Sequence, residues 1–121
     1  MYHAVEPIGL TTRLRGLWRW RHLAFIVRRH RSLRRHLVLR VFWQPAHAWL
    51  LLGTTGLVLA RRRPLAAGLA AGWLVSRFPS YGPDLRGHVR AAGELPSLAV
   101  VDAAEVAALA WGSVEHRTLM L

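Results

Sequence analysis

The 121-residue chain carries seventeen basic side chains, all of them Arg, against six acidic ones, for a net charge of +11, and 53% of its residues are hydrophobic. That much apolar content excludes a disordered basic tail, and the absence of Cys excludes a disulfide framework and thiolate chemistry. High positive charge together with high hydrophobicity points to an anionic surface as partner, a phospholipid headgroup layer before any other.

Residues 1–13 read as a leader, with Pro7 and Gly9 breaking regular structure. Residues 14–40 form a basic amphipathic helical region. LRGLWRWRHLAFIV, from Leu14 to Val27, mixes Arg with Leu, Trp, Phe and Ile, and RRHRSLRR follows from Arg28. Ser32 is placed to cap a helix running through Leu37 into Val41. Such a helix lies in the interfacial plane, its apolar side chains in the acyl boundary and its guanidiniums on phosphate. Trp18, Trp20, Arg28, Arg29, Arg34, Arg35 and Arg40 are therefore candidate headgroup contacts.

Residues 41–78 read as a hydrophobic helical hairpin that dips in and returns. Val41 to Ala60 is twenty residues without a charge, the length that crosses roughly 30 Å of hydrocarbon at about 1.5 Å per residue. Pro45 suits a first helical turn, which leaves about 24 Å of helix after it. Trp43 and Trp49 fall where an aromatic belt sits. Arg61, Arg62 and Arg63 end the run and join the candidate headgroup contacts, as does Trp43. The stretch from Leu65 to Ser76 is too short to cross unaided, and its Gly68 and Gly72 make a small-xxx-small pair for close helix packing.

Residues 79–121 read as C-terminal amphipathic helices. Asp84 is placed to cap a helix that Pro96 stops, and a last helix is expected from Ser97 to Trp111, with Asp102 and Glu105 together on its solvated side. The fold class expected is all-α and membrane-associated.

Catalytic equipment is not legible. No two Asp lie close enough for a metal and nucleotide-phosphate clamp, no His pair has H-x-x-x-H spacing, and no Gly-rich phosphate loop is present. No catalytic, cofactor-binding or metal-binding residue is assigned, and no cofactor is expected. Trp18-Arg19-Trp20-Arg21 has a pattern that stacks bases or docks headgroups. Lipid is favoured over nucleic acid because the uncharged run adjoins the basic cluster.

Three segments together resemble the C-terminal region of bacterial family 2 glycosyltransferases: RLRGLWRWRHLAFIVRRH from Arg13, LRRHLVLRVFWQPAHAWLLL from Leu33, and the ending VDAAEVAALAWGSVEHRTLML from Val101. Arg31 stands where a Pro commonly follows in such tails, and Trp111 and Glu115 stand in an ending that is usually more basic. The resemblance implies a catalytic domain ahead of a basic, hydrophobic tail. Met1 to Thr12 holds no such domain, so no catalytic residue carries over, and the expectation is a fragment or split-gene piece that does not transfer sugar alone. Its partners would be a membrane with anionic lipid and a separate catalytic domain or further copies of itself. An independent small basic membrane protein and a nucleic-acid binder are the alternative readings. Within twenty residues of the run, seven Arg precede it (the last is Arg40) and four follow (Arg61, Arg62, Arg63 and Arg77). This places the N-terminal half on the cytoplasmic side of a bacterial cell membrane.

Overall fold

Leu10–Leu17 forms the first helix, α1, in a computed structural model that describes residues 9–121. Most of the expected leader thus lies outside the described residues. The described residues form an all-helical fold, as the apolar spacing predicts. The basic region is, however, a series of short pieces. A 3₁₀ turn over Trp18–His22 leads into α2, Leu23–Arg29, and a second 3₁₀ turn covers Arg31–His36. Ser32 caps nothing, because the residue ahead of that second turn is His30, which offers no side-chain bond. Leu37 then leaves in an extended conformation. It is drawn into a buried cluster with Val27, Leu109 and Met120, against which Trp20 and Leu23 pack.

The uncharged run is not one helix, and this corrects the spanning length read for Val41–Ala60. The backbone of Val41 and Trp43 pairs with the last residue: Leu121 N–H donates to the Val41 carbonyl at 3.0 Å, and Trp43 N–H donates to that of Leu121 at 2.6 Å. Those groups are spent outside a helix. Pro45 opens the next one, α3, Pro45–Leu59, whose 15 residues rise about 22 Å. A 3₁₀ turn over Pro64–Gly68 leads to α4, Leu69–Arg77, which returns along α3 as the second arm of the hairpin.

The close approach of the two arms depends on glycines, though not the pair singled out from sequence. A Cβ on Gly53 would meet the Ala70 backbone at 3.1 Å, and one on Gly56 would run into the Ala66 carbonyl and the Leu69 side chain. Gly72 lies against the ring of Trp49. Gly68 faces open space and does not contribute to packing. Gly56→Val is expected to separate the arms and to lower the thermal midpoint of the detergent-purified protein. Gly68→Ala, at a helical φ of −59°, should instead gain about 0.4–1 kcal/mol by restricting the unfolded chain. Equal midpoints for the two variants would contradict this assignment.

The last helix, α5, runs unbroken over Leu85–Glu115 for 31 residues with Pro96 inside it, so Pro96 does not stop it. Its start is as expected, with Asp84 Oδ1 accepting from the Gly87 N–H at 3.1 Å. A Pro inside a helix costs about 3 kcal/mol. Burial beyond Pro96 outweighs that cost: Val101, Ala108, Leu109 and Gly112 are buried, and each large apolar side chain among them contributes roughly 1.5–3 kcal/mol. The C-terminal half of α5 lies against the first helices so closely that a Cβ on Gly112 would collide with the Arg21 backbone.

Past α5 the chain folds back. Met120 is wholly buried, its N–H donating to Ser113 Oγ at 2.8 Å. Arg34 reaches the carbonyls of Arg40 and Leu119 and the Thr118 hydroxyl, each at 3.1 Å. Between Val38 and Phe42 the chain makes a tight turn closed by an isolated antiparallel bridge, with Leu39 at φ 51° and Arg40 at φ 62°. Side chains with a Cβ occupy that region at a cost. Leu39→Asn with Arg40→Gly supplies the residues that such turns favour. A gain of about 0.5–1 kcal/mol per position is expected in thermal unfolding, and a loss of stability would count against the turn geometry.

Candidate functional site

Three helices bring six residues to a polar network at the open end of the hairpin. Trp73 and Arg77 of α4, and Asp102 and Glu105 in the middle of α5, are spaced four and three apart and so share a face; His47 lies in the first turn of α3, and Gln44 is the extended residue just ahead of that helix. Asp102 is fully buried and fully engaged. Trp73 Nε1 donates to Oδ2 at 2.9 Å, Arg77 Nε donates to the same oxygen at 2.8 Å, and Arg77 Nη2 donates to Oδ1. Glu105 Oε2 accepts from Gln44 Nε2 at 2.7 Å and lies 3.0 Å from His47 Nε2. Both acids are buried, which corrects their placement on a solvated face.

Donor atoms of His47, Asp102 and Glu105 lie within 4.8 Å of one another, close enough to share a cation. Arg77, however, already brings positive charge to both oxygens of Asp102, and a guanidinium cannot be deprotonated to make way. The arrangement is two linked acid–base pairs that tie α5 to the base of the hairpin. A charge-assisted, bidentate contact of this kind is both strong and directional. As a general acid or base, Asp102 has no free oxygen facing a substrate. His47 Nδ1 is buried without a hydrogen-bond partner among the described residues.

A second feature is the basic, aromatic face made by the first helices and the end of α5. Trp18 lies 6.1 Å from Trp111, with the Arg21 guanidinium 5.2 Å over its ring. Trp20 meets Trp43 edge to face at 5.6 Å. Of the candidate headgroup contacts, Arg34 is turned inward, as described, and Arg28 donates to the His116 carbonyl at 3.0 Å. Both hold the C-terminal segment in place. Arg29, Arg35, Arg40, Arg61, Arg62 and Arg63 are exposed. Ahead of α5, Tyr81 donates to Glu94 and lies under Arg90, 4.5 Å from the ring centroid. The hydrogen bond to the Glu94 carboxylate, before any other cause, raises the Tyr81 pKa above its ordinary value.

Sequence reasoning missed the network. The residues that form it lie up to 61 positions apart, and the only signal was the three-residue spacing of Asp102 and Glu105. Among the described residues, α5 is the one helix long and apolar enough to cross a membrane, by length and composition. Known protein families, curated proteins and solved structures offer no match to the chain.

Proposed function

We propose that the chain is a membrane-anchoring helical module, non-catalytic by itself and related to the C-terminal tails of bacterial family 2 glycosyltransferases. It sits in the bacterial cell membrane with its basic N-terminal half on the cytoplasmic side. The observation that carries this reading is the quantity of large apolar side chain left outside the core. Leu65 is 95% exposed, Val75 80% and Val58 67%, and Leu52, Leu57, Leu59 and Leu74 of the same hairpin are exposed as well. Contiguous apolar surface of this kind is rare on soluble monomers and costs nothing against hydrocarbon. The paired, inward-facing charges of Asp102 and Arg77 suit the same setting, where ionisable groups face the bundle interior and pair with one another.

The hairpin turn supports a more specific placement. Arg61, Arg62 and Arg63 stand at its tip, between the two arms. A hairpin stopping at the bilayer centre would bury three guanidiniums at about 2.5–3.5 kcal/mol each. The tip therefore belongs at a headgroup layer, which arms of 15 and 9 residues, both shorter than a crossing, reach by lying along the surface. Nucleic acid is less well served, because Trp18 and Trp20 are engaged with other Trp rings of the chain and two of the basic side chains with its own carbonyls.

Sidedness and kinship are tested separately. The native chain has no Cys, so His30→Cys is expected to react with a membrane-impermeant maleimide only after the cells are opened. Labelling from outside intact cells would contradict the orientation. The kinship predicts that a family 2 catalytic domain supplied on a separate polypeptide copurifies with the chain in detergent. It also predicts that the chain alone shows no metal-dependent hydrolysis of a sugar nucleotide. Turnover by the chain alone would overturn the non-catalytic reading.

A further inference from the structure

Resting on the membrane reading, we propose that the face between α3, α4 and α5 is the seat of one anionic phospholipid, with an acyl chain in the groove and the phosphate on Arg61–Arg63. The groove has a volume of about 360 Å³ and is walled by Leu50, Gly53, Leu57, Ala70, Leu74 and Ala99. Its size falls within the roughly 300–1,000 Å³ usual for ligand sites. Small residues shape it: Gly53 lets the two arms of its wall approach each other, and Ala70 and Ala99 line it with a methyl group each. Its two polar neighbours are spent elsewhere, since the Thr54 hydroxyl donates to the Leu50 carbonyl at 2.8 Å and the Trp73 indole N–H to Asp102. The donors of both polar side chains in the walls are thus occupied, and the remaining lining is apolar, so the part of a ligand held there is hydrocarbon.

The headgroup is assigned by charge. Leu50 and Leu57, seven residues apart, share one stripe of α3. The stripe runs toward the turn that holds Arg61, Arg62 and Arg63, in which the Arg62 and Arg63 N–H groups both donate to the Leu59 carbonyl at 2.9 Å. Among the described residues none of these three guanidiniums has an acidic partner. Guanidinium suits the fork geometry of a phosphate. A zwitterionic lipid presents the same phosphate with a cationic group beside it, and is disfavoured next to three cations.

Native mass spectrometry of the full chain in mild detergent tests the assignment, with added phosphatidylglycerol or phosphatidylcholine. One phosphatidylglycerol is expected to remain bound to the parent protein. Retention should fall roughly ten-fold in Ala99→Phe, which fills the groove, and as far in Arg61→Gln/Arg62→Gln/Arg63→Gln, which removes the phosphate contacts. Should Ala99→Phe fail to fold, as judged by its thermal transition, Ala99→Leu is read in its place. Unchanged retention in a folded groove variant, or equal retention of the two lipids by the parent, overturns the proposal. A parent protein that fractionates with membranes yet retains no lipid overturns it too while leaving the anchoring reading intact. A parent protein that is soluble without detergent removes both.

Discussion

Asp102→Ala is expected to cost about 3 kcal/mol of stability, the low end of what removing one partner from a buried ion pair costs, because the Arg77 side chain keeps 22% of its surface in contact with its surroundings. The carboxylate is fully buried, and three donor groups from two side chains converge on it. Its loss leaves the Arg77 guanidinium and the Trp73 N–H without their acceptor, and an unmatched buried donor costs more than a hydrogen bond contributes. Asp102→Asn keeps the shape and one acceptor oxygen and should fall between Ala and the parent. The pair with Arg77 is separable from packing by a double replacement. Asp102→Leu with Arg77→Met removes both charges, and the combined loss should be clearly smaller than the sum of the single losses. Thermal unfolding of detergent-purified variants, the two single replacements of the pair included, measures all five. An Asp102→Ala midpoint equal to that of the parent would mean that Arg77 finds another partner and that α5 is not held through this contact.

The second large effect concerns partitioning. The chain is expected to stay with membranes through washes in high salt and then in carbonate. Its exposed Arg side chains each contribute about 1 kcal/mol toward an anionic surface, and salt screens that attraction over a few ångströms. Attachment by charge alone would therefore wash off. Attachment through α5, at 31 residues or about 46 Å, and through the apolar exterior of the hairpin survives, because burial of apolar surface does not depend on ionic strength in this way. Recovery of unaggregated protein in the wash would sink the anchoring proposal and leave a basic surface protein in its place.

What the sequence made legible was local. The all-helical class, a hairpin within residues 41–78 and the Asp84 cap follow from apolar runs, turn residues and capping chemistry within a few positions. Errors arose wherever distant residues decided the local outcome. Val41–Trp43 reads as the opening of a span until the Leu121 backbone takes its hydrogen bonds. Pro96 reads as a stop until the burial of Val101, Ala108 and Leu109 holds the helix straight through it. Asp102 and Glu105 read as solvated because their partners, Arg77 and His47, lie 25 and 58 positions away. Gly68 and Gly72 match a packing motif, yet it is Gly53 and Gly56 on the opposite arm that let the backbones meet, together with Gly72 alone. Periodicity marks which residues share a face and does not say which face is covered.

The return of the last residues into the first helices also sets an order of assembly. The two arms of the hairpin are neighbours in the chain and close a short loop, which is fast and costs little entropy. The base is different: Arg28 and Arg34 grip carbonyls 88 and 85 positions downstream, and Met120 supplies part of the packing around Val27 and Leu37. On a ribosome the hairpin can form while Val27 and Leu37 still wait for their partners, leaving the Arg-rich half of the nascent chain open until residues 116–120 have been made and can fold back.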